Sequence, residues 1–446
     1  MKKVITYGTY DLLHYGHIRL LERAKELGDY LIVGVTSDDF DKRRGKINVQ
    51  QSLIERVQAV KSTGLADEII IEEYEGQKID DICNYGIDIF TVGSDWVGKF
   101  DYLKEYCEVI YLDRTEGVSS TEIRSKNRSL NLGIVGSFNF IQKHLNESKY
   151  VNGLEITKIN SEDKIPKHML KEYNLTVEND YDKLLDNVDA IYVATNPDKH
   201  YEIIKKAIEK KKHVLCESPI TLKKEECKEL LALADKKGIV LMEAIKTNYA
   251  NAYMRLMLLA KTGVVGKIVS VDATCTSLRQ LEELGEKKIG KYQNSICAWG
   301  PTAMLPVFQL LGTKYKEKHI TSLLSDKNKN FDLFTKISFD YKDATATIKV
   351  GKGVKSEGEL IISGTKGYIY VPAPWWKTDY FEVRYEDPAK NRRYFYQLEG
   401  EGIRYELISF LRAINKKTKV GGIKKDTTLA IIEVIEDFYN KKKNTI

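Results

Sequence analysis

The first part of the chain alternates short apolar runs, typical of buried strands, with segments whose apolar residues recur every three or four positions, typical of helices. This alternation favours a parallel sheet with helices on both faces. Ligands of such sheets bind beyond the carboxyl ends of the strands. The predicted strands are Val4–Tyr7, Tyr30–Val35, Glu68–Ile71, Ile89–Val92 and Val109–Leu112, and the predicted helices are His17–Leu27, Gln51–Lys61 and Lys78–Asn84.

The same alternation returns after a polar segment at residues 124–129. It begins with a strand and turn at Asn131–Ile141, and it predicts a second doubly wound domain. The predicted strands lie near Leu154–Ile159, Ala190–Ala194, His213–Cys216 and Val240–Glu243, with helices near Lys199–Lys210 and Leu222–Lys236.

From about Ile268 the pattern changes to alternation at the strand period, which predicts an open, mostly antiparallel sheet. Two helices close the chain, the first with Ile403, Leu407, Phe410, Leu411 and Ile414 on one face and the second at about Thr427–Asn440. The predicted strands are Leu333–Tyr341, Ala344–Val350, Glu359–Ile362 and Tyr368–Val371, with a hairpin turn at Gly364–Gly367. The fold class is therefore α/β, with two doubly wound parallel-sheet (Rossmann-like) domains at 1–126 and 131–245 and a C-terminal α+β domain at 246–446.

Composition narrows the function classes without naming one. The 446 residues carry a net charge of +6 spread along the chain, which does not favour nucleic-acid binding. The six cysteines form no Cys-x-x-Cys pair, so neither a disulfide framework nor a zinc site is indicated. The sequence shows no signal peptide and no apolar run of membrane-spanning length, so we expect a cytoplasmic protein with no membrane insertion.

The turn between the first strand and the first helix is the strongest chemical motif of the chain. Gly8 and Gly16 let the backbone approach a ligand, and the helix N-terminus favours a phosphate. His14 and His17, three residues apart, can point at one anion, and Thr9 can hold a phosphate. The alternative is that the two histidines are surface residues or half of a metal site. We favour phosphate handling, because strand, glycines, hydroxyl and histidines occur together.

Two further segments reach the same edge of the predicted sheet. The strand ending at Leu112 delivers Arg114, and Ser119-Ser120-Thr121 is typical of a helix N-cap that binds a second part of a triphosphate. The basic segment Lys42–Lys46 is either a loop that closes over phosphates or an ordinary charged loop. Joining two anionic substrates requires positioning and charge neutralisation, without a covalent intermediate.

These motifs resemble the His-x-Gly-His nucleotidylyltransferases, and specifically the glycerol-3-phosphate cytidylyltransferase family. The matching stretches are Tyr7–Phe40, Val92–Asp101 and Arg114–Ile123. The resemblance implies CTP and a polyol phosphate (glycerol 3-phosphate by default) as substrates, pyrophosphate as leaving group, and Mg²⁺ that arrives with CTP and takes no side-chain ligand. The catalytic residues are then His14, His17 and Arg114; the nucleotide-binding residues are Gly8, Thr9, Tyr10, Asp11, His14, His17, Lys46, Asp95, Arg114, Ser119, Ser120 and Thr121; and the substrate-binding residues are Asp11, Arg56 and Lys78.

The region from Asn131 to Tyr439 resembles a second family, the Gfo/Idh/MocA oxidoreductases. The landmarks are Gly133–Gly136, Val193–His200, Val214–Pro219, Met242–Ala244 and Gly364–Gly367. The resemblance implies an NAD(P) cofactor and a homodimer or higher homo-oligomer. The possible dinucleotide-binding residues are Gly133, Gly136, Ser137, Phe138, Thr195, Asn196 and Glu217.

This second region departs from its family at the positions that do the chemistry. Phe138 replaces the glycine that lets backbone meet the pyrophosphate, and Asn160 and Ser161 stand where an acidic residue would hold the ribose. Ser218 replaces the family's lysine, and Ala298 and Thr302 occupy the positions of its aspartate and its histidine or tyrosine. The candidates for substitute acids are Lys199, His200, Lys246 and Tyr249.

Two hypotheses follow for the second region. It is either a reductase that makes the polyol phosphate from a sugar phosphate, or a non-catalytic remnant kept for dimerisation, stability or partner binding. The fusion favours a shared pathway, whereas serine and alanine cannot relay a proton as lysine and aspartate do. We therefore favour the remnant.

Overall fold

The computed structural model describes the chain except residues 14, 44–48, 50, 75, 114–128, 152, 279–291, 326–330, 397, 399, 417–421 and 441, and it describes only the backbone of residues 42, 43, 95, 139 and 416. The chain divides into two compact units. Unit 1 comprises Met1–Ser129 with Tyr150–Gly153, and unit 2 comprises Leu130–Lys149 with Leu154–Ile446.

Unit 1 is built on a five-stranded parallel sheet in the order β3-β2-β1-β4-β5. Its central strands are apolar along almost their whole length because helices cover both faces. The strands are β1 (Lys3–Gly8), β2 (Tyr30–Thr36), β3 (Glu68–Glu72), β4 (Ile89–Gly93) and β5 (Glu108–Leu112), and the helices are α1 (Tyr15–Glu26), α2 (Asp38–Arg43), α3 (Leu53–Ser62) and α4 (Gln77–Tyr85).

Unit 2 begins with a six-stranded parallel sheet in the order β11-β10-β9-β6-β7-β8. Its strands are β6 (Leu130–Gly136), β7 (Leu154–Asn160), β8 (Thr176–Val177), β9 (Ala190–Ala194), β10 (His213–Glu217) and β11 (Leu241–Ala244). Its helices are α5 (Phe138–Ser148), α6 (Lys167–Glu172), α7 (Tyr181–Asp186), α8 (His200–Glu209), α9 (Lys224–Lys237) and α10 (Asn251–Lys261).

A nine-stranded sheet in the order β19-β18-β17-β16-β12-β15-β14-β13-β20 follows within unit 2. Its pairs are antiparallel except β12 with β15 and β13 with β20. The strands are β12 (Ile268–Thr276), β13 (Glu317–Leu324), β14 (Asp332–Asp340), β15 (Thr345–Gly351), β16 (Leu360–Gly364), β17 (Tyr368–Val371), β18 (Tyr380–Arg384), β19 (Arg392–Phe395) and β20 (Asn444–Thr445), and the remaining helices are α11 (Ser295–Leu311), α12 (Ile403–Lys416) and α13 (Lys425–Tyr439).

The predicted fold class is confirmed, but α11 lies outside the set of predicted helices. This helix is apolar on nearly all sides and contains Pro301 and Pro306, so it shows neither an amphipathic period nor the usual helical composition. It packs in the main core of unit 2, against β12 and β15. Tertiary packing therefore decides its structure.

Among the described residues, no helix is both long enough and apolar enough to cross a membrane.

Candidate functional site

The loop that follows β1 is tightly formed around a buried tyrosine. Tyr10 and Leu12 both adopt left-handed backbone conformations, with φ of 51° and 49°. The Tyr10 ring is 1% exposed and lies over Gly8, where an added Cβ would stand only 2.9 Å from the ring. Gly8 is therefore required at this position, because a larger residue would displace the ring that orders the loop.

A buried arginine anchors this loop to α2 and α3. Arg56 is fully buried, and its Nη1 donates to the backbone oxygens of Thr9 at 2.6 Å and Thr36 at 2.8 Å. Its guanidinium also pairs with the carboxylates of Asp38 at 2.5 Å and Asp41 at 3.6 Å. In the structure Arg56 thus positions the loop, and the prediction that it binds substrate stays a prediction.

A second anchor comes from the residue just before the capping box of α3. The backbone N–H of Gln51 donates to the Asp11 carboxylate at 2.9 Å, and the Gln51 side chain accepts from the Leu12 N–H at 2.7 Å. Ser52 and Glu55 cap α3 reciprocally, which fixes Gln51 in place. Asp11 therefore helps to order the loop, and its role toward nucleotide or substrate stays a prediction.

His17 lies in the first turn of α1, beside this loop. Its ring is half-buried and meets the Tyr10 ring edge-on, with 5.5 Å between centroids. The loop and the helix start are thus packed as one piece. On the same helix, Arg23 donates to the backbone oxygen of Asp113 at 2.8 Å and so ties the end of β5 to α1.

The remaining predicted residues of unit 1 fall into two groups. Lys78 on α4 is only 8% exposed; it pairs with Glu72 at the end of β3, and its Nζ lies 4.5 Å from the centre of the Tyr7 ring. Asp95 is in a 3₁₀ turn directly after β4, and its side chain is not described. The other predicted site residues of unit 1 lie outside the described residues: His14, Lys46, Arg114, Ser119, Ser120 and Thr121.

Unit 2 keeps the glycine turn of a dinucleotide-binding sheet but fills its anion site with its own carboxylate. An added Cβ on Gly136, with φ of 153°, would stand 2.3 Å from the backbone oxygen of Ala194, so the strand-to-helix turn requires glycine. The N–H of Phe138, the first residue of α5, donates to the Asp163 carboxylate at 2.8 Å. A cofactor phosphate would need this helix end, where Asp163 already supplies a negative charge.

The residue that replaces the family's lysine serves a structural hydrogen bond. Ser218 donates to the carboxylate of Glu243 at 2.6 Å, and Thr428 on α13 donates to the same carboxylate at 2.7 Å. Burial raises the pKa of Glu243, although both hydrogen bonds oppose that rise. Ala298 and Thr302 lie on α11, and neither side chain ionises near neutral pH, so neither can replace the family's acid or base.

Three of the four candidate substitute acids are engaged elsewhere. The two ring nitrogens of the buried His200 lie 3.0 Å from the Pro219 oxygen and 3.2 Å from the Thr195 oxygen. The buried Tyr249 donates to the Glu243 backbone oxygen at 2.9 Å, and the exposed Lys199 pairs with Glu162 at 2.9 Å.

The fourth candidate, Lys246, belongs to a polar cluster that the sequence analysis did not predict. The other members of this cluster are Lys143, Lys377, Glu401 and His144. It lies in a 3₁₀ turn after β11 and pairs with the Glu401 carboxylate at 3.1 Å. The pattern of apolar residues gave no signal for this cluster. Its members come from segments that are far apart along the chain. In the sequence, most of them are indistinguishable from ordinary surface residues.

The buried histidine of this cluster predicts a loss of stability in mild acid. His144 stacks on Tyr192 with 3.9 Å between ring centroids, and burial together with Lys246 and Lys143 lowers its pKa from 6.5 to about 4. The His144 ring therefore takes up a proton near pH 6.5 in the unfolded chain, but only near pH 4 in the folded chain. Stability is therefore complete above pH 6.5, and about 3 kcal/mol is lost as pH falls to 4.

Urea unfolding followed by tryptophan fluorescence at a series of pH values measures this effect. A His144→Phe variant keeps the ring stack and should show a flatter pH profile than the original protein. A variant at the exposed His319, His319→Gln, should show the original profile. Equal slopes for His144→Phe and the original protein would contradict the assignment.

The comparisons with known proteins agree with the two-part architecture. Residues 5–126 match the family described as cytidylyltransferase-like, and residues 130–245 match the oxidoreductase family with an NAD-binding Rossmann fold. Unit 1 is thus a nucleotidylyltransferase domain, and unit 2 contains a domain of the Gfo/Idh/MocA type. Both resemblances inferred from the motifs are confirmed.

The curated relatives of unit 1 cover it end to end. Glycerol-3-phosphate cytidylyltransferase of Bacillus spizizenii is 55% identical over 130 residues, which are 29% of this chain and 100% of that protein. The enzymes of the same name from Bacillus subtilis and Staphylococcus aureus are 52% and 51% identical over 126 residues, 28% of this chain and 97% and 95% of theirs. The chain belongs to the glycerol-3-phosphate cytidylyltransferase family through unit 1, and it is a cytidylyltransferase.

The structural neighbours of unit 2 are oxidoreductases. KijD10, a 3-ketoreductase from Actinomadura kijaniata in complex with NADP and TDP-benzene, is 16% identical with a TM-score of 0.62, over 72% of this chain and 99% of that one. The UDP-N-acetylglucosamine 3-dehydrogenase GnnA from Acidithiobacillus ferrooxidans is 15% identical with a TM-score of 0.59, over 70% and 97%. At these identities the likeness establishes the fold.

Proposed function

We propose that the protein joins CTP to glycerol 3-phosphate, or to a closely related polyol phosphate, and releases pyrophosphate and a CDP-polyol. The observation that carries the proposal is the 55% identity to a glycerol-3-phosphate cytidylyltransferase over that enzyme's whole length. The clamped loop and the half-buried His17 at the carboxyl ends of the strands support it.

The chemistry requires two anions to meet at the α-phosphorus of CTP. A substrate phosphate oxygen attacks that phosphorus, and the bond to the departing pyrophosphate breaks. In this proposal His17, with His14, donates to the oxygens that gain charge in the transition state, and Arg114 neutralises the triphosphate. Tyr10 holds the His17 ring by edge contact, and Arg56 acts as a positioning residue by holding the Thr9 oxygen.

Magnesium has no prepared side-chain site among the described residues of unit 1. The carboxylates nearest the loop are engaged: Asp11 accepts from Gln51, Asp38 and Asp41 pair with Arg56, and Glu72 pairs with Lys78. The one group of metal-ligand residues found among the described positions, Glu317, His319 and Asp340, is exposed and lies in unit 2. Mg²⁺ would then arrive with CTP and be held by oxygens of CTP.

A fragment that ends at Ser129 should keep most of the cytidylyltransferase activity, because the cytidylyltransferase-like match ends at residue 126 and the Bacillus spizizenii enzyme matches over its whole length of 130 residues. The measurement is pyrophosphate release from CTP with glycerol 3-phosphate and a panel of longer alditol phosphates, for fragment and full chain. A folded fragment that releases no pyrophosphate with any of these compounds would overturn the proposed function.

We propose that unit 2 does not turn over NAD(P)H. The carboxylate of Asp163 at the start of α5 opposes the cofactor's pyrophosphate, and Ser218 is committed to Glu243. Incubation of the full chain with NADH or NADPH and a panel of sugar phosphates should give no substrate-dependent loss of reduced-nicotinamide absorbance. Oxidation that disappears in a Lys246→Met variant would instead support a bifunctional enzyme that makes its own polyol phosphate.

Homodimer formation stays a prediction, which light scattering of the full chain tests.

A further inference from the structure

Three lysines from three separate elements of unit 2 converge on one carboxylate. The Nζ atoms of Lys143 on α5, Lys246 after β11 and Lys377 after β17 lie 3.3, 3.1 and 3.1 Å from the oxygens of Glu401. Burial opposes ionisation of Glu401, but Lys246 and Lys377 lower its pKa to about 2. The cluster therefore holds an excess of positive charge around a single fixed anion.

Glu401 reaches the lysines from a strained segment. Its φ is 55°, and its neighbours Gly400 and Gly402 have φ of 57° and 87°. A left-handed conformation is unfavourable in a residue with a side chain, because Cβ comes too close to the following carbonyl oxygen. The carboxylate is held in place by the three lysines and is therefore an occupant that a stronger anion can replace.

A group of buried polar side chains lies near the lysines. Nε2 of His144 and Oε2 of Glu406 are buried and make no hydrogen bond to the described residues. Both residues are 2% exposed. A buried polar atom without a partner is unfavourable, so two such atoms near Lys246 favour a site for polar ligand groups.

The same group of buried side chains contains a hydrogen-bonded acid pair, Tyr192 and Glu217. The Tyr192 hydroxyl, on the ring that stacks against His144, donates to the carboxylate of Glu217 at the end of β10. Burial raises the pKa of Glu217 and of Glu406, while the ammonium of Lys246 acts in the opposite direction on both. The lysines and the buried polar side chains are therefore electrostatically connected.

We propose that this site binds a phosphorylated polyhydroxy small molecule, whose phosphate replaces the Glu401 carboxylate on the three lysines and whose hydroxyls pair with His144 and Glu406. Lysine ammonium groups bind phosphate as point charges, and a phosphate brings more charge and more acceptor oxygens than one carboxylate. Without ligand, the Glu401 carboxylate occupies the position on the three lysines that the phosphate would take. The inference rests on the proposed function only in the choice of glycerol 3-phosphate as the probe.

Isothermal titration of the full chain with glycerol 3-phosphate tests the proposal, with inorganic phosphate and glycerol as the partial probes. Glu401→Gln should tighten binding at this site by about tenfold, since the internal competitor is removed. Lys246→Met and Lys377→Met should weaken it by at least about tenfold. Lys336→Met, a change at an exposed lysine of β14, is the matched control and should alter nothing.

The outcomes separate this site from unit 1. Pyrophosphate release should be unchanged in the Glu401 and lysine variants, because none of these residues belongs to the cytidylyltransferase machinery. If the proposed function is wrong, unit 1 gives no binding signal and the lysine-dependent signal remains. Binding that is equal in Glu401→Gln, Lys246→Met, Lys377→Met and the control overturns the proposal, as does binding of glycerol as tight as that of glycerol 3-phosphate.

Discussion

Replacement of His17 by alanine is expected to lower kcat for pyrophosphate release by about a hundredfold or more, with CTP still bound. The expectation follows from a donor that acts on charge developed in the transition state, where losing one donor typically costs about 2.7–4 kcal/mol. His17 lies against the buried Tyr10 in the first turn of α1, so its ring is already oriented before substrate arrives. His14→Ala is expected to act in the same direction.

The measurement is steady-state pyrophosphate release together with CTP binding by titration. His319→Ala, at an exposed histidine of unit 2, serves as the control and should leave kcat unchanged. A His17→Ala protein with unaltered kcat would assign the residue to packing against Tyr10. A fall in CTP affinity equal to the fall in kcat/KM would instead make it a ground-state binding residue.

Replacement of Arg56 by methionine is expected to destabilise unit 1 by about 3–5 kcal/mol. The change removes the cation that pairs with the carboxylate of Asp41, which is 0% exposed, and it removes the donors to the Thr9 and Thr36 oxygens. Such a loss is a large share of the stability of a domain of this size. Activity should fall because the Thr9 loop loses its anchor.

Urea unfolding of the fragment that ends at Ser129 measures this loss directly. Arg19→Met is the matched control, since Arg19 forms an exposed pair with Glu22 on α1 and should cost less than about 1 kcal/mol. A stable Arg56→Met protein with a raised KM for glycerol 3-phosphate would show that Arg56 contacts substrate, as the family resemblance implies, and that the loop has other anchors.

The sheet of unit 1 was largely predictable because its strands are short, apolar and bounded by polar segments. Each predicted strand ends within one residue of the observed strand, as with Val4–Tyr7 against Lys3–Gly8. The helix Ser295–Leu311 was not predictable from period, since burial on most sides removes the amphipathic signal.

Site contacts were predictable only where they are local. Gly8, the loop after β1 and His17 are neighbours in the sequence, so their proximity could be predicted. The family resemblance added the site residues of the later motifs. The pair of Lys143 and Glu401 joins residues 258 positions apart, and nothing in either neighbourhood signals the other. The same holds for Asp163, whose role at the start of α5 depends on the packing of the loop after β7.

The Asp163 carboxylate bears on how far the stability of unit 2 depends on the supply of dinucleotide in a cell. A protein that needs a bound dinucleotide is stabilised by mass action, so its folded fraction varies with the supply of that compound. Here the anion that satisfies the start of α5 is part of the chain and is present at a fixed effective concentration. If the Asp163 carboxylate excludes the cofactor, the melting temperature of unit 2 is the same with and without added nicotinamide nucleotides, and a rise on their addition would show that they bind.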